Sequence, residues 1–193
     1  MNREKLLSGE EIRDFHKNLS ELHHTLGQGF MEQFNRSLPF NDELFDRWDR
    51  AKKLGFGEGS SIYDSSYVFG KVKVGTNTWI GPFTIIDGSG ELKIGDHCTI
   101  SAAVHIYTHD NIGKTLTAGK QPIEHNPVFI GNCTYVGPQT VITKGVTIGD
   151  YCIIGAGSFV NTSLASFSVA YGTPAKVIGT VVLVEDAFQI QYL

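Results

Sequence analysis

An aliphatic residue returns every sixth position over most of the last two thirds of this chain. Counting from Ile62 gives Val68, Val74, Ile80 and Ile86; after a slip of two residues the count resumes at Ile94, Ile100 and Ile106. A longer interruption follows, and then Ile130, Val136, Ile142, Ile148, Ile154 and Val160 complete the set. All 14 phase positions are Ile or Val, although these two types supply only 31 of the 193 residues, so the period reports the fold rather than the composition. Glycine follows directly at Gly75, Gly81, Gly95, Gly131, Gly137, Gly149 and Gly155, which suits a chain that must turn without a Cβ clash. Four residues after the aliphatic one stand smaller side chains: Thr78, Thr84, Cys98, Val104, Thr134, Thr140, Val146, Cys152 and Ser158. Short strands separated by turns, each repeat offering one large and one small inward residue, predict a mainly β protein built as a parallel β-helix of stacked coils.

Residues 1–58 have a different texture and predict a helical N-terminal segment. Ser8 and Glu11 have the spacing of a capping box ahead of Ile12, Phe15, Leu19 and Leu22, and a second helix is expected from Asn41 to a stop at Gly55. This segment reads as a cap, with His23 and His24 as solvated helix residues. The β-helix domain is expected over residues 59–180, with a protruding loop at about 111–127, and residues 181–193 form a C-terminal extension. Lys plus Arg number 16 against 20 Asp plus Glu, a net charge of −4, which gives no basic field for nucleic acid. Cys98, Cys133 and Cys152 lie too far apart for a CxxC motif and are expected as reduced thiols, with Cys98 and Cys152 filling the interior. The first five residues lack an apolar leader and no stretch approaches the length of a membrane span, so a soluble cytoplasmic protein is expected.

The segments Ile94-Gly95-Asp96-His97-Cys98-Thr99, Ile130-Gly131-Asn132-Cys133-Thr134-Tyr135, Val136-Gly137-Pro138-Gln139-Thr140-Val141 and Ile148-Gly149-Asp150-Tyr151-Cys152-Ile153 resemble the bacterial hexapeptide-repeat transferases. Three further features are similar to the sugar, xenobiotic and galactoside or maltose O-acetyltransferases and to acyltransferases of surface-polysaccharide pathways. These are Thr108-His109-Asp110, the interruption between Ile106 and Ile130, and Gly172-Thr173-Pro174-Ala175-Lys176-Val177-Ile178-Gly179. The resemblance implies a left-handed β-helix, a homotrimer with active sites between subunits, and acetyl-CoA as acyl donor with no metal.

Attack by a hydroxyl or amine on a thioester requires removal of the acceptor's proton, which a near-neutral imidazole does well. His109, at the edge of a repeat break, is the expected general base; His105, four residues upstream, is its rival and a candidate substrate contact. By resemblance, Gly137, Gly155 and Ala156 line the pantetheine groove, Thr162 at the next turn is a further cofactor contact, Lys176 meets a phosphate and Pro174 packs near the adenine. Phe83, Asp87 and Tyr135 are expected to shape the acceptor site, Asp87 orienting either an acceptor amine or the imidazole. Tyr135 stands roughly where galactoside-type enzymes carry a tryptophan. Two other readings stay open at this point: a metalloprotein like the γ-class carbonic anhydrases, which bind metal through three histidines, and a non-catalytic interaction scaffold.

Overall fold

The structure, a computed structural model, describes residues 6–193; residues 1–5, on which the expectation about an apolar leader rests, lie outside the described residues. Two compact units meet in sequence between Asp46 and Arg47. The first holds α1 (Glu10–Phe34) and α2 (Phe40–Leu44). α1 begins after Gly9 with no side-chain cap, so the Ser8–Glu11 box does not form, and it stops at Asn35, whose left-handed backbone (φ 52°) turns its N–H back to the Met31 carbonyl at 3.0 Å. Glu43 of α2 is buried; it accepts from the Leu38 N–H at 3.3 Å and lies 3.5 Å from His23 Nε2. His23 thus reaches Glu43 of the short helix while its side chain stays exposed, as expected of a solvated helix residue.

The helix expected from Asn41 to Gly55 is two helices, broken where Phe45 becomes extended (φ −109°, ψ 126°). Its second half, α3 (Arg47–Lys53), belongs to the second unit, which moves the boundary from 58 to 46. Arg50 explains why. Its Nη2 donates to the Ser66 carbonyl at 2.7 Å, Arg47 Nη1 donates to the Tyr63 hydroxyl at 2.8 Å, and Ala51 and Phe56 join the buried core.

The remainder coils. Coil one is β1 (Ser61–Ile62) and β2 (Tyr67–Val74); coil two is β3 (Trp79–Ile80) and β4 (Ile85–Ile94). Coil three is β5 (Thr99–Ile100) and β6 (His105–Ile106), followed by an excursion through β7 (His109–Asp110), α4 (Ile112–Leu116) and β8 (Glu124–His125) before the coil closes at β9 (Val128–Ile130). Coil four is β10 (Tyr135–Val136), β11 (Val141–Ile142) and β12 (Thr147–Ile148); coil five is β13 (Ile153–Ile154) and β14 (Phe159–Val160). β15 (Ser168–Tyr171) starts a sixth, and β16 (Lys176–Val184) with β17 (Ala187–Tyr192) ends the chain as an antiparallel hairpin, so the expected extension begins inside β16.

Parallel pairing puts the six-residue phase on three faces. Face A aligns Ile62, Ile80, Ile100, Val136, Ile154 and Ala170. Face B aligns Val68, Ile86, Ile106, Ile142 and Val160, and face C aligns Val74, Ile94, Ile130 and Ile148. Every phase residue except the half-buried Val68 is buried. The smaller residues are buried as well, and many of them satisfy the turns of the next coil. Thr78 Oγ donates to the Gly95 carbonyl at 2.8 Å, Thr134 Oγ to Gly149 at 3.0 Å and Thr140 Oγ to Gly155 at 3.1 Å.

The phase glycines do not supply the positive φ of the turns. That conformation falls two residues later, at Asn77, Phe83, His97, Cys133, Gln139 and Tyr151. What the glycines supply is close approach: a Cβ at Gly137 would lie 2.6 Å from the Ala156 nitrogen in the coil below, and one at Gly81 would lie 2.7 Å from Ala102. Truncating one fully buried phase residue, Ile142→Ala, is expected to lower unfolding free energy by about 2–5 kcal/mol in urea titration, whereas the exposed Thr147→Ala is expected to cost about 0.5 kcal/mol or less.

Candidate active site

The two places where the count breaks touch each other. After Ile86 the chain takes two extra residues through Asp87-Gly88-Ser89-Gly90, and after Ile106, which pairs with Ile86, it leaves the coil altogether. Asp87, 1% exposed, collects the donors at this junction. Its Oδ2 accepts the Thr108 N–H at 2.8 Å, the Thr108 hydroxyl at 3.1 Å and His109 Nδ1–H at 2.8 Å. Its Oδ1 accepts the Ser89 N–H at 3.0 Å and the Ser89 hydroxyl at 2.5 Å. The Thr108 hydroxyl also accepts the Gly90 N–H at 2.8 Å, and a Cβ on Gly90 would stand 2.5 Å from the Thr108 carbonyl, so the bulge and the departing chain fit only with glycine there.

Burial alone would raise the Asp87 pKa, but the hydrogen bonds from Ser89, Thr108 and His109 outweigh it and hold the carboxyl well below the usual carboxylate range. Asp87 is thus an anion at any pH near neutrality. A carboxylate can only accept, so Nδ1 of His109 carries the proton and Nε2 keeps its lone pair. The His109 side chain is 36% exposed, which leaves that nitrogen open to a reactant. This is the geometry of an oriented base.

β7 and β8 form a small antiparallel hairpin in which His109 faces His125 and Asp110 faces Glu124. The two imidazoles stack with centroids 5.7 Å apart at 30°. From the turn after β11 in coil four, Lys144 Nζ lies 3.2 Å from Asp110 Oδ2 and 3.0 Å from Glu124 Oε1. Sequence reasoning passed over Lys144, because a cation in a turn is ordinarily solvated; the one available signal was its place directly below the interruption.

The other expected site residues are spread over the prism. His105 points out of face B with its Nδ1 3.4 Å from the Tyr107 hydroxyl, apart from the Asp87 cluster. Phe83 is exposed in the turn between β3 and β4, on the edge that joins faces A and B, whereas Asp87 and His109 lie on the edge that joins B and C. Tyr135 projects from face A into an apolar groove of about 560 Å³, between Ile153 and the hairpin residues Leu183 and Phe188. One chain therefore does not bring Phe83 or Tyr135 to His109, and Asp87 lies behind the imidazole, with both oxygens occupied, rather than at an open acceptor surface. Gly137, Gly155 and Ala156 share the A–B edge with Phe83; Gly155 is covered by the Tyr171 ring and only Ala156 is exposed. Thr162 is exposed on the B–C edge, while Pro174 and Lys176 are exposed beyond the last coil, next to Ala175, whose N–H donates to the Phe159 carbonyl at 2.8 Å. Among the described residues, no three His, Cys, Asp or Glu side chains converge as a metal site, and the three cysteines are free.

Residues 127–162 match the family described as bacterial transferase hexapeptide (six repeats). The chain carries the left-handed β-helix of the bacterial hexapeptide-repeat acyltransferases. It is 29% identical over 185 residues to the galactoside O-acetyltransferase of Escherichia coli K12, spanning 91% of this chain and 87% of that protein. It is 34% identical over 110 residues to the putative colanic acid biosynthesis acetyltransferase WcaF of the same organism, covering 56% of this chain and 58% of the relative. Among solved structures, a galactoside acetyltransferase in complex with coenzyme A superimposes with a TM-score of 0.60 at 28% identity, over 84% of this chain and 82% of that one.

A carboxylate whose pKa is depressed by folding stabilises the native state above the unfolded value, near 4, and loses that contribution as pH falls further. Asp87→Asn is accordingly expected to lower stability at pH 7 by roughly 1–3 kcal/mol in denaturant titration. The gap to wild type is expected to narrow below about pH 4; a gap that widens in acid would contradict the assignment.

Proposed function

We propose that the chain is an acyl-CoA-dependent transferase that acetylates a hydroxyl or amino group of a sugar or nucleotide-linked sugar, with His109 as general base. The observation that carries this reading is the 2.8 Å contact between His109 Nδ1 and the buried Asp87 carboxylate. It leaves Nε2 as the proton acceptor and supplies a negative partner for the imidazolium that forms. Acetyl-CoA and acceptor would meet in a ternary complex: Nε2 takes the acceptor proton as its oxygen or nitrogen attacks the thioester carbonyl, and the proton then passes to the leaving thiolate. Backbone N–H groups at the groove would stabilise the developing oxyanion, and no metal is assigned a part. The relatives' names, a galactoside O-acetyltransferase and an acetyltransferase of colanic acid biosynthesis, support a sugar acceptor and a role in surface polysaccharide. The coenzyme A in the solved relative supports the donor.

We further propose a homotrimer with active sites between subunits. His109 lies on one edge of the prism, while Gly137, Gly155, Ala156 and Phe83 lie on another. A groove that uses both sets has to be completed by a second copy, with Pro174, Lys176 and Thr162 as contacts to the CoA and Tyr135 and His105 further out toward the acceptor. Among the described residues no helix is long and apolar enough to cross a membrane. We place the protein in the cytoplasm, where acyl-CoA thioesters are made.

His109→Ala is expected to cut acetyl transfer to the best acceptor in a panel of sugars, amino sugars and their nucleotide-linked forms by about 10²-fold or more, read as CoA thiol release. Acetyl-CoA should still raise the melting temperature of this variant as it does for wild type. Unchanged turnover would remove His109 from the mechanism, and a melting temperature indifferent to acetyl-CoA in both proteins would favour a non-catalytic scaffold.

A further inference from the structure

His109 sits on a hairpin with only two residues per strand, and an isolated hairpin of that size has little stability of its own. Its inner end is tied to coil two through Asp87, and the Asn126 N–H donates back to the Thr108 carbonyl at 2.9 Å. Its outer side is held from the opposite direction by coil four. Lys144 contacts Asp110 and Glu124, the pair that face each other across the hairpin and directly adjoin His109 and His125. Glu124 Oε1 takes a second hydrogen bond from Asn126 Nδ2 at 3.0 Å. The Lys144 side chain is 19% and that of Asp110 31% exposed, whereas Glu124 is 63% exposed, and two acceptors converge on a single ammonium.

We propose that Lys144 is a positioning residue for His109, stapling the hairpin that carries the imidazole to the coil below and offsetting the two carboxylates beside it. This rests on the reading of His109 as the base. The groups that face His109 are Asp87 from β4, Asp110 on its own strand, Glu124 and His125 from β8, and Lys144 beyond that pair. With Lys144 in place one ammonium offsets half the charge of the two outer carboxylates; without it, three carboxylates surround the ring with no lysine or arginine among these groups. That field favours the imidazolium, which cannot act as a base, so loss of the lysine raises the pH at which His109 becomes competent. The contact also draws on Asp110, which the Ile112 N–H and then Lys144 hold below the ordinary carboxylate range.

The test is NMR titration of the histidine side chains in the full-length protein, with His109→Gln to assign the resonance, together with hydrogen exchange of the Asn126 amide. Lys144→Met is expected to raise the His109 midpoint by roughly half a pH unit or more and to speed Asn126 exchange by about tenfold. Lys144→Arg is expected to keep both near wild type. Asp110→Asn removes a carboxylate and leaves the cation, so it is expected to lower the midpoint, and it supplies the sign test if Lys144→Met does not fold. A midpoint unmoved in Lys144→Met, whether or not exchange accelerates, overturns the proposal, as does a midpoint that rises in Asp110→Asn. Neither readout uses turnover, so the outcome is separate from the acyl-transfer reading: loss of transfer in His109→Ala judges that reading, and the midpoints judge the staple.

Discussion

Backbone hydrogen bonds between successive parallel coils set the geometry on which the second unit depends. They bring neighbouring coils so close that the residue after each inward aliphatic one has no room for a Cβ, as the 2.6 Å approach at Gly137 shows. They also align the aliphatic residues into three buried stripes and turn the Thr hydroxyls toward carbonyls of the next coil. A stack built this way is regular and unreactive. Every side chain that points inward is used in packing, and every coil repeats its neighbour.

Chemistry then requires a defect in the repeat, and the chain has two that fall in register. Because Ile86 pairs with Ile106, the two-residue bulge of coil two lies beside the point where coil three leaves the stack. The bulge buries Asp87, and the departing chain offers it the Thr108 backbone and hydroxyl and the His109 ring. Burying a carboxylate is unfavourable unless its lone pairs are filled, and here five donors fill them. The same bonds therefore stabilise the junction, fix the imidazole tautomer and leave one nitrogen directed outward. Lys144 extends the arrangement by a coil, joining the excursion to the regular stack beneath it.

Much of this was legible in the residues. The inward stripes, the small interior side chains and the excursion all follow from counting by six, and the handedness came with the resemblance carried by the hexapeptides and the Gly172–Gly179 ending. The pairing of Asp87 with His109 was half legible, since the count aligns Ile86 with Ile106 but leaves open whether Asp87 faces the ring or an acceptor. Where Phe83 and Tyr135 stand relative to His109 within one chain was not legible, because nearness by coil number says nothing about which edge or face a residue occupies. The phase glycines were legible as positions without room for a Cβ, but glycine signals either positive φ or close approach, and only the stacked coils show that it is the latter, with the positive φ two residues on. The capping box at Ser8 gave way to a helix start one residue beyond Gly9, a boundary that local spacing does not fix.

The claim that two breaks in a regular coil combine to orient one base is tested most directly by the ¹⁵N shifts of the His109 ring in the wild-type protein at a pH where the imidazole is neutral. The proton is expected on Nδ1, with Nε2 bare and facing solvent. A neutral ring protonated on Nε2, the form usually preferred by an unconstrained histidine, would mean that Asp87 does not hold it and would contradict the mechanism built on that contact.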